Sequence, residues 1–325
     1  MIRIYCLQSM FRYHLTMARA NAPAPAPHPA PAALPRGSRS TQRMIAAFRR
    51  DGSPRAAGLI VTLYGDAVAP RGGRAWLGAI ARLLAPLGVS ERLVRTSVYR
   101  LVQAGWLRGE AQGRRTDYCL STEAAEECAH AEARIYARTA PAWDGRLHAA
   151  LPLPGSHPRT REAMRKSLAW LGFGELPGPL WVHPSQDASA DPRLVALSSS
   201  RLLPEQARAL AAAAWPLQAH AQAWASFLRR HEPLLAGAAQ ATPEEAFLAR
   251  LLMIHDYRRL LLRDPALPAE LLPGGWKGES ARSLVAETYA ALWPGSEAHL
   301  RETLVCADGR HPGLPARGLR RFAPS

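Results

Sequence analysis

The chain has 325 residues, 48% of them apolar, and 41 Lys and Arg against 26 Asp and Glu, a net charge of +15. That length and apolar fraction exclude a mainly disordered chain and allow two or three domains with a sizeable core. The charge is uneven: residues 1–53 hold eight Arg against Asp51, residues 54–120 hold ten Arg against Asp66, Glu91, Glu110 and Asp117, and the rest is close to balanced. Because only Lys166 and Lys277 are lysines, the chain favours Arg throughout. That preference does not explain the contrast between segments, which suits phosphate binding near the N-terminal end.

Four cysteines (Cys6, Cys119, Cys128, Cys306) are scattered without a CxxC pair or a His at zinc-ligand spacing. The expectation is a reduced, cytoplasmic protein with no metal and no cofactor. No apolar run nears the roughly 20 residues of a membrane span, so no membrane partner is expected. The opening MIRIYCLQSMFRYHL has no signal-peptide core.

Ala22 to Pro35 alternates Ala and Pro, which favours extended chain, and residues 1–52 are expected to form a disordered leader. Either its arginines add non-specific DNA affinity, or the true start is Met17 or Met44. Residues 53–121 are expected to fold as a unit. Ala56 to Tyr64 reads as a short apolar helix, followed by a loop to Gly73. Trp76, Leu77, Ile80, Leu83, Leu84 and Leu87 give a helical period that stops at Pro86-Leu87-Gly88.

Ser90 then starts a helix with apolar Val94, Val98, Leu101 and Val102 on one face, and Gly105 can end it. The other face carries Arg92, Arg95, Thr96, Tyr99 and Gln103. Trp106-Leu107 opens a strand, the Gln112-to-Arg115 turn carries Arg114 and Arg115, and Thr116 to Leu120 returns. A basic helix face followed by an Arg-tipped hairpin suggests a winged helix-turn-helix. Arg reads guanine O6 and N7 bidentately, and Thr or Tyr contacts phosphate or a thymine methyl. Arg114 and Arg115 suit the backbone or minor groove. The alternative, a solvated charged face, is weakened by the adjacent hairpin.

Thr122 to Ala137 reads as a helix with an acidic start, within a connector over residues 122–140. Residues 141–216 give a strand at Arg146 to Leu153, a helix at Arg159 to Leu171 and hairpin material at Gly172 to Val182. A strand at Arg193 to Ser198 and a helix at Glu205 to Ala214 follow. That order suggests a ferredoxin-like βαββαβ unit. Residues 217–306 are helical. Gln218 to Leu235 buries Trp224, Phe227, Leu228 and Leu234, a second helix starts at Thr242-Pro243-Glu244-Glu245 and stops at Asp264-Pro265, and a third covers Ala281 to Trp293. Residues 307–325 read as a tail. The fold class is α+β.

LIVTLYGDAVAPRGGRAWLG and SERLVRTSVYRLVQAGWL resemble the N-terminal domain of the PaaX family, repressors of phenylacetic acid degradation operons. The likeness continues at WDGRLHAALPLP, SLAWLGFGELPGPLWVHP and FLARLLMIHDYRRLLLRDPALPAELLPGGW, covering about residues 54–295. It implies a repressor that binds operator DNA as a homodimer and is released by an aryl-acyl-coenzyme A effector such as phenylacetyl-coenzyme A. His255, Arg258 and Arg259, three to four residues apart, are candidate effector contacts for the C-terminal part. The alternative is an ion-paired helix with His255 in the core. The central domain is similar to the small endoribonuclease of CRISPR adaptation. The catalytic Asp of that enzyme would end the first strand, where this chain has Leu151-Pro152-Leu153-Pro154.

No catalytic residue is assigned, since no nucleophile elbow, phosphate loop or His-Glu-x-x-His occurs, and His148 and His183 read as structural. The competing functions are a nucleic-acid hydrolase built on the central unit and a ligand-independent DNA-binding scaffold.

Overall fold

The computed structural model describes residues 37–50, 56–137, 143–155, 157–314 and 321–322. The Ala-Pro run lies outside the described residues. The expectation of disorder up to residue 52 is corrected after it: Arg39–Arg50 is a helix, α1, with Thr41, Met44 and Ile45 buried. Glu245 anchors its start, accepting from the Ser38 N–H (3.0 Å) and Gln42 Nε2 (2.9 Å). Arg49 Nε donates to the Pro86 carbonyl at 2.7 Å near its end.

The next helix, α2 (Ala56–Leu63), buries every residue except Gly58. A helix apolar on all sides needs cover on all sides. The expected loop after it is instead a π turn, Tyr64–Val68, in which the Ala69 N–H bonds the Tyr64 carbonyl, then a 3-10 turn, Ala69–Arg71. Gly72, at φ +92°, ends the run. The continuous helical path is what buries Asp66 and Arg71.

Trp76 was expected to begin a helix but ends a short strand, β1 (Arg74–Trp76), ahead of α3 (Leu77–Leu84). A 3-10 turn, Ala85–Leu87, and Gly88 at φ +80° lead to α4 (Glu91–Gln103). The Ser90 side chain caps α4 by accepting from the Leu93 N–H at 3.3 Å. Val94, Val98 and Leu101 are buried as the spacing predicts, Val102 is only half-buried, and α4 packs on α2 and α3. The exit is a Schellman turn: Gly105 sits at φ +71°, its N–H bonds the Val102 carbonyl and the Trp106 N–H bonds Leu101.

A hairpin of β2 (Leu107–Gln112) and β3 (Arg115–Leu120) follows, turning on Gly113-Arg114. Gly113, at φ +60°, supplies the positive φ that a two-residue hairpin turn needs at its first position. Strand β1 pairs antiparallel with β3, giving a three-stranded sheet ordered β1-β3-β2. Helix α5 (Thr122–Ile135) is capped by Ser121.

In the central region, β4 (His148–Pro152), α6 (Pro158–Trp170), β5 (Gly174–Leu176), β6 (Leu180–His183), β7 (Leu194–Ser198) and α7 (Pro204–Ala214) succeed one another. Their antiparallel sheet is ordered β5-β6-β4-β7. The expected βαββαβ order is corrected to βαβββα. No helix links β6 to β7, because residues 184–193 form turns in which Asp187 and Asp191 accept from the Ser189 and Arg193 N–H groups. On one side Met164 and Leu168 of α6 pack with Ala150, Phe173, Trp181 and Leu194. Ala207 and Ala211 of α7 pack with Leu176, Val182 and Trp215 in a second cluster.

Three long helices follow: α8 (Leu217–Gly237), α9 (Pro243–Leu261) and α10 (Gly278–Thr303). Helix α9 opens with a reciprocal capping box, in which the Glu245 N–H bonds Thr242 Oγ1 (3.2 Å) and the Thr242 N–H bonds Glu245 Oε2 (3.1 Å). Helix α10 was expected to end at Trp293 but runs on through Pro294, and Glu297 beyond it is held by Arg71 and Arg250.

The chain forms two compact units that cut across the expected domains. One draws on the chain up to Ala137, on Arg230–Tyr257 and on the chain from Leu284 onward; the other on Arg138–Arg229 and Arg258–Ser283. The expected C-terminal domain is therefore shared between them. Nor do residues beyond 306 simply trail. The Ala307 N–H donates to Asp117 Oδ1 at 2.6 Å, and the Arg321 side chain and Phe322 are buried in the first unit. Among the described residues no helix is long and apolar enough to cross a membrane.

Candidate nucleic-acid interface

Burial of Val94, Val98 and Leu101 leaves the opposite face of α4 in solvent, where Arg92, Arg95, Thr96, Tyr99 and Gln103 are all exposed. Tyr99 is 63% exposed, unusual for a large aromatic residue and consistent with a face that meets a partner. Arg95 is paired with Glu91 at 2.9 Å, both side chains about two-thirds exposed. Such an i,i+4 pair is worth only about 0.3–0.5 kcal/mol, so it holds Arg95 weakly. The Thr96 hydroxyl donates to the Arg92 carbonyl at 2.9 Å, leaving its methyl and oxygen lone pairs for outside contact.

Arg114 and Arg115 are exposed at the hairpin tip. The Arg115 guanidinium lies over the Trp76 ring (4.6 Å to the centroid), and Arg82 approaches the same ring at 5.6 Å. Stacking of this kind steadies a guanidinium while leaving its N–H edge free to bond.

Within the same unit lies a buried ion cluster that the sequence reading missed. Asp66, in the π turn, accepts from Arg250 Nε (2.9 Å), Tyr136 (2.7 Å), Tyr289 (3.0 Å) and Arg321 Nη1 (3.0 Å). Arg250 also bonds Glu297 at 2.8 Å, Arg71 pairs with Glu297, and Arg321 pairs with Glu132 at 2.9 Å. Three guanidiniums thus face three carboxylates, the balance that lets charges stay buried. Burial alone would push the Asp66 carboxyl up; Arg250, Arg321 and the two phenols outweigh it and hold the group below its usual range. Burial, then the Asp66 charge, pushes the Tyr289 phenol up to about 12, so it stays a donor at neutral pH.

The three effector candidates all lie on α9. His255 is buried in the first unit, its Nδ1 2.9 Å from the Thr62 hydroxyl on α2. Arg258 is buried and Arg259 half-buried, and both fall in the second unit. His255 therefore joins α9 to α2, the core role named as the alternative. His183 Nδ1 accepts from the Ser185 (3.0 Å) and Gln186 (2.8 Å) N–H groups, a turn-capping role, and His148 meets Ser198 at 3.0 Å. Among the described residues no group of three or more His, Cys, Asp or Glu side chains is gathered as a metal site requires.

Comparison with known proteins agrees in order along the chain. Residues 55–124 match the family model of the PaaX-like protein, residues 140–199 that of the PaaX protein central Cas2-like domain, and residues 215–302 that of the PaaX-like protein C-terminal domain. Transcriptional repressor PaaX of Escherichia coli (strain K12) is 36% identical over 281 residues, 81% of this chain and 89% of that protein. Among solved structures, the uncharacterized protein Rv0674 from Mycobacterium tuberculosis superposes with a TM-score of 0.54 at 26% identity, covering 76% of this chain and 99% of that one. With a mixed helix-and-sheet fold, a Cas2-like central domain and this identity over most of its length, the chain belongs to the PaaX family.

Proposed function

We propose that the protein is a transcriptional repressor that binds duplex DNA through a winged helix-turn-helix: α3, the Gly88 turn and α4, with the β2–β3 hairpin as the wing. The observation that carries this reading is the exposed Arg92, Arg95, Thr96, Tyr99 and Gln103 face, beginning at the N-terminal end of a helix whose other face is core. Side chains near that end of a recognition helix reach base edges, while the hairpin arginines lie along the backbone. The relative named a transcriptional repressor supports the same role.

A homodimer places two such heads on a two-fold operator. Strand β7 is suited to the contact: among the described residues it is an edge of its sheet, with Val195 (37%) and Leu197 (54%) exposed.

The effector class is the aryl-acyl-coenzyme A that the family resemblance implies, with Arg258 and Arg259 as phosphate partners and His255 left to its Thr62 contact. Release requires that the thioester bind the DNA-incompetent conformation more tightly. Titrating phenylacetyl-coenzyme A into the protein bound to a labelled duplex from upstream of its own gene is expected to free the DNA, with free coenzyme A without effect. DNA held through the whole titration, with no thioester binding by calorimetry, would leave a ligand-independent DNA-binding protein.

A further inference from the structure

We propose that α1 is a second phosphate-binding element, with Arg39, Arg43 and Arg50 gripping the DNA backbone beside the segment met by α4. The proposal rests on the DNA-binding reading above and extends that surface to a helix outside the matched family segments.

Helix α1 is two-sided. Ser38, Thr41, Met44 and Ile45 are buried, whereas Arg39, Arg43, Ala46 and Arg50 are exposed. At 100° per residue those four positions fall within about 60° around the axis, a single stripe along a helix about 18 Å long. The stripe is held in place at both ends. Glu245 accepts from Ser38 and Gln42 at the start, and Arg49 is committed to the Pro86 carbonyl near the end. Pro86 lies in the turn just before the Ser90 cap of α4, and a Cβ placed on Gly88 would be 3.7 Å from Arg49 Cγ. The basic stripe thus ends beside the N-terminal end of α4, where Arg92 and Arg95 begin.

Two further observations select the partner. Among the described residues no carboxylate pairs with Arg39, Arg43 or Arg50, whereas Arg74, Arg95 and Arg108 of the same unit are each paired with a carboxylate. An unbalanced row of guanidiniums fits a polyanion. The stripe also carries no exposed large apolar side chain, which membrane adsorption would need. Guanidiniums spaced along a rigid rod, without aromatic groups for base stacking, suit phosphates rather than base edges.

The test is salt dependence, because each phosphate neutralised adds about 0.9 to the slope of log K against log salt. Full-length protein is titrated against a labelled mixed-sequence duplex of about 30 base pairs, a length that holds two half-sites a helical turn apart. Arg39→Gln, Arg43→Gln and Arg50→Gln are each expected to flatten the slope by about 0.9 per protomer, or about 1.8 for a dimer on both half-sites, and the triple variant by about 2.7 per protomer, or about 5.4 for the dimer. The corresponding Lys variants are expected to keep the wild-type slope, and the preference for one sequence over another stays unchanged. The single variants keep the result readable if the triple variant melts early. Wild-type slopes in the Gln variants, with wild-type protein still binding DNA, would overturn the role of α1 and leave the α4 reading standing. A wild-type protein that binds no duplex at all would remove both.

Discussion

Replacing Asp66 by asparagine is expected to cost about 3–5 kcal/mol of stability, the usual loss when one member of a buried ion cluster is removed. The Asp66 side chain is 1% exposed and those of Arg250 and Arg321 are 0% and 3% exposed, so water cannot take its place. The substitution leaves three guanidiniums against two carboxylates, one of which, Glu132, is itself 42% exposed. For a protein stable by about 5–15 kcal/mol this is about a fifth of the total or more. Urea denaturation checks it, with Asp191→Asn, whose carboxylate pairs with the half-exposed Arg193 and accepts its N–H, as the mild comparison. The sign with pH follows from the lowered Asp66 pKa. Stability from a depressed carboxyl is present above its unfolded value of about 3.9 and is lost as pH falls through the folded value. The gap between wild type and Asp66→Asn is therefore expected to hold at neutral pH and to narrow below about pH 4. Equal urea midpoints at pH 7 would contradict this account of the cluster.

The second large effect concerns DNA. Arg95→Ala is expected to weaken binding to the preferred site by about 5- to 150-fold, the range of one bidentate guanine contact. Binding to unrelated duplex should change far less. Arg95 is exposed and its partner Glu91 is exposed as well, so thermal stability should not move. Anisotropy titrations with specific and scrambled duplexes separate the two readings. Equal loss on both duplexes would make Arg95 a backbone contact, and no loss on either would remove it from the interface.

The helix that carries this prediction was largely legible in the sequence. A Ser cap, apolar positions three to four apart and a terminal glycine are local signals, and all three appear as capping, burial and a positive φ at Ser90, Val94 to Leu101 and Gly105. The ion cluster was not legible, because its members meet across more than 250 positions, from Asp66 to Arg321. One signal was available: Arg250 sits within FLARLLMI, and a charge in a helical stretch apolar on every side must find a buried partner. The uninterrupted apolar character of AAGLIVTL likewise called for cover from elsewhere in the chain.

Helix α1 was obscured by its neighbour, since an Ala-Pro run beside an Arg-rich stretch reads as leader even where Thr41, Met44 and Ile45 keep a helical period. The central unit failed differently. Its strands and helices were found in order, but strand order depends on pairing, and the βαββαβ label did not fit the succession of three strands before the last helix. Among the effector candidates, spacing put His255 with Arg258 and Arg259, and spacing alone does not reveal that His255 is buried against Thr62.

The central claim is sequence-specific DNA binding through α4, and the most direct measurement is selection from sheared genomic DNA by the purified protein. The account predicts enrichment of a small set of fragments sharing an inverted repeat with half-site centres about one helical turn, ~10 base pairs, or a multiple of it apart. An Arg92→Ala/Arg95→Ala protein should lose that enrichment while remaining folded. Fragments recovered without a shared repeat, or the same set recovered by the double variant, would contradict it.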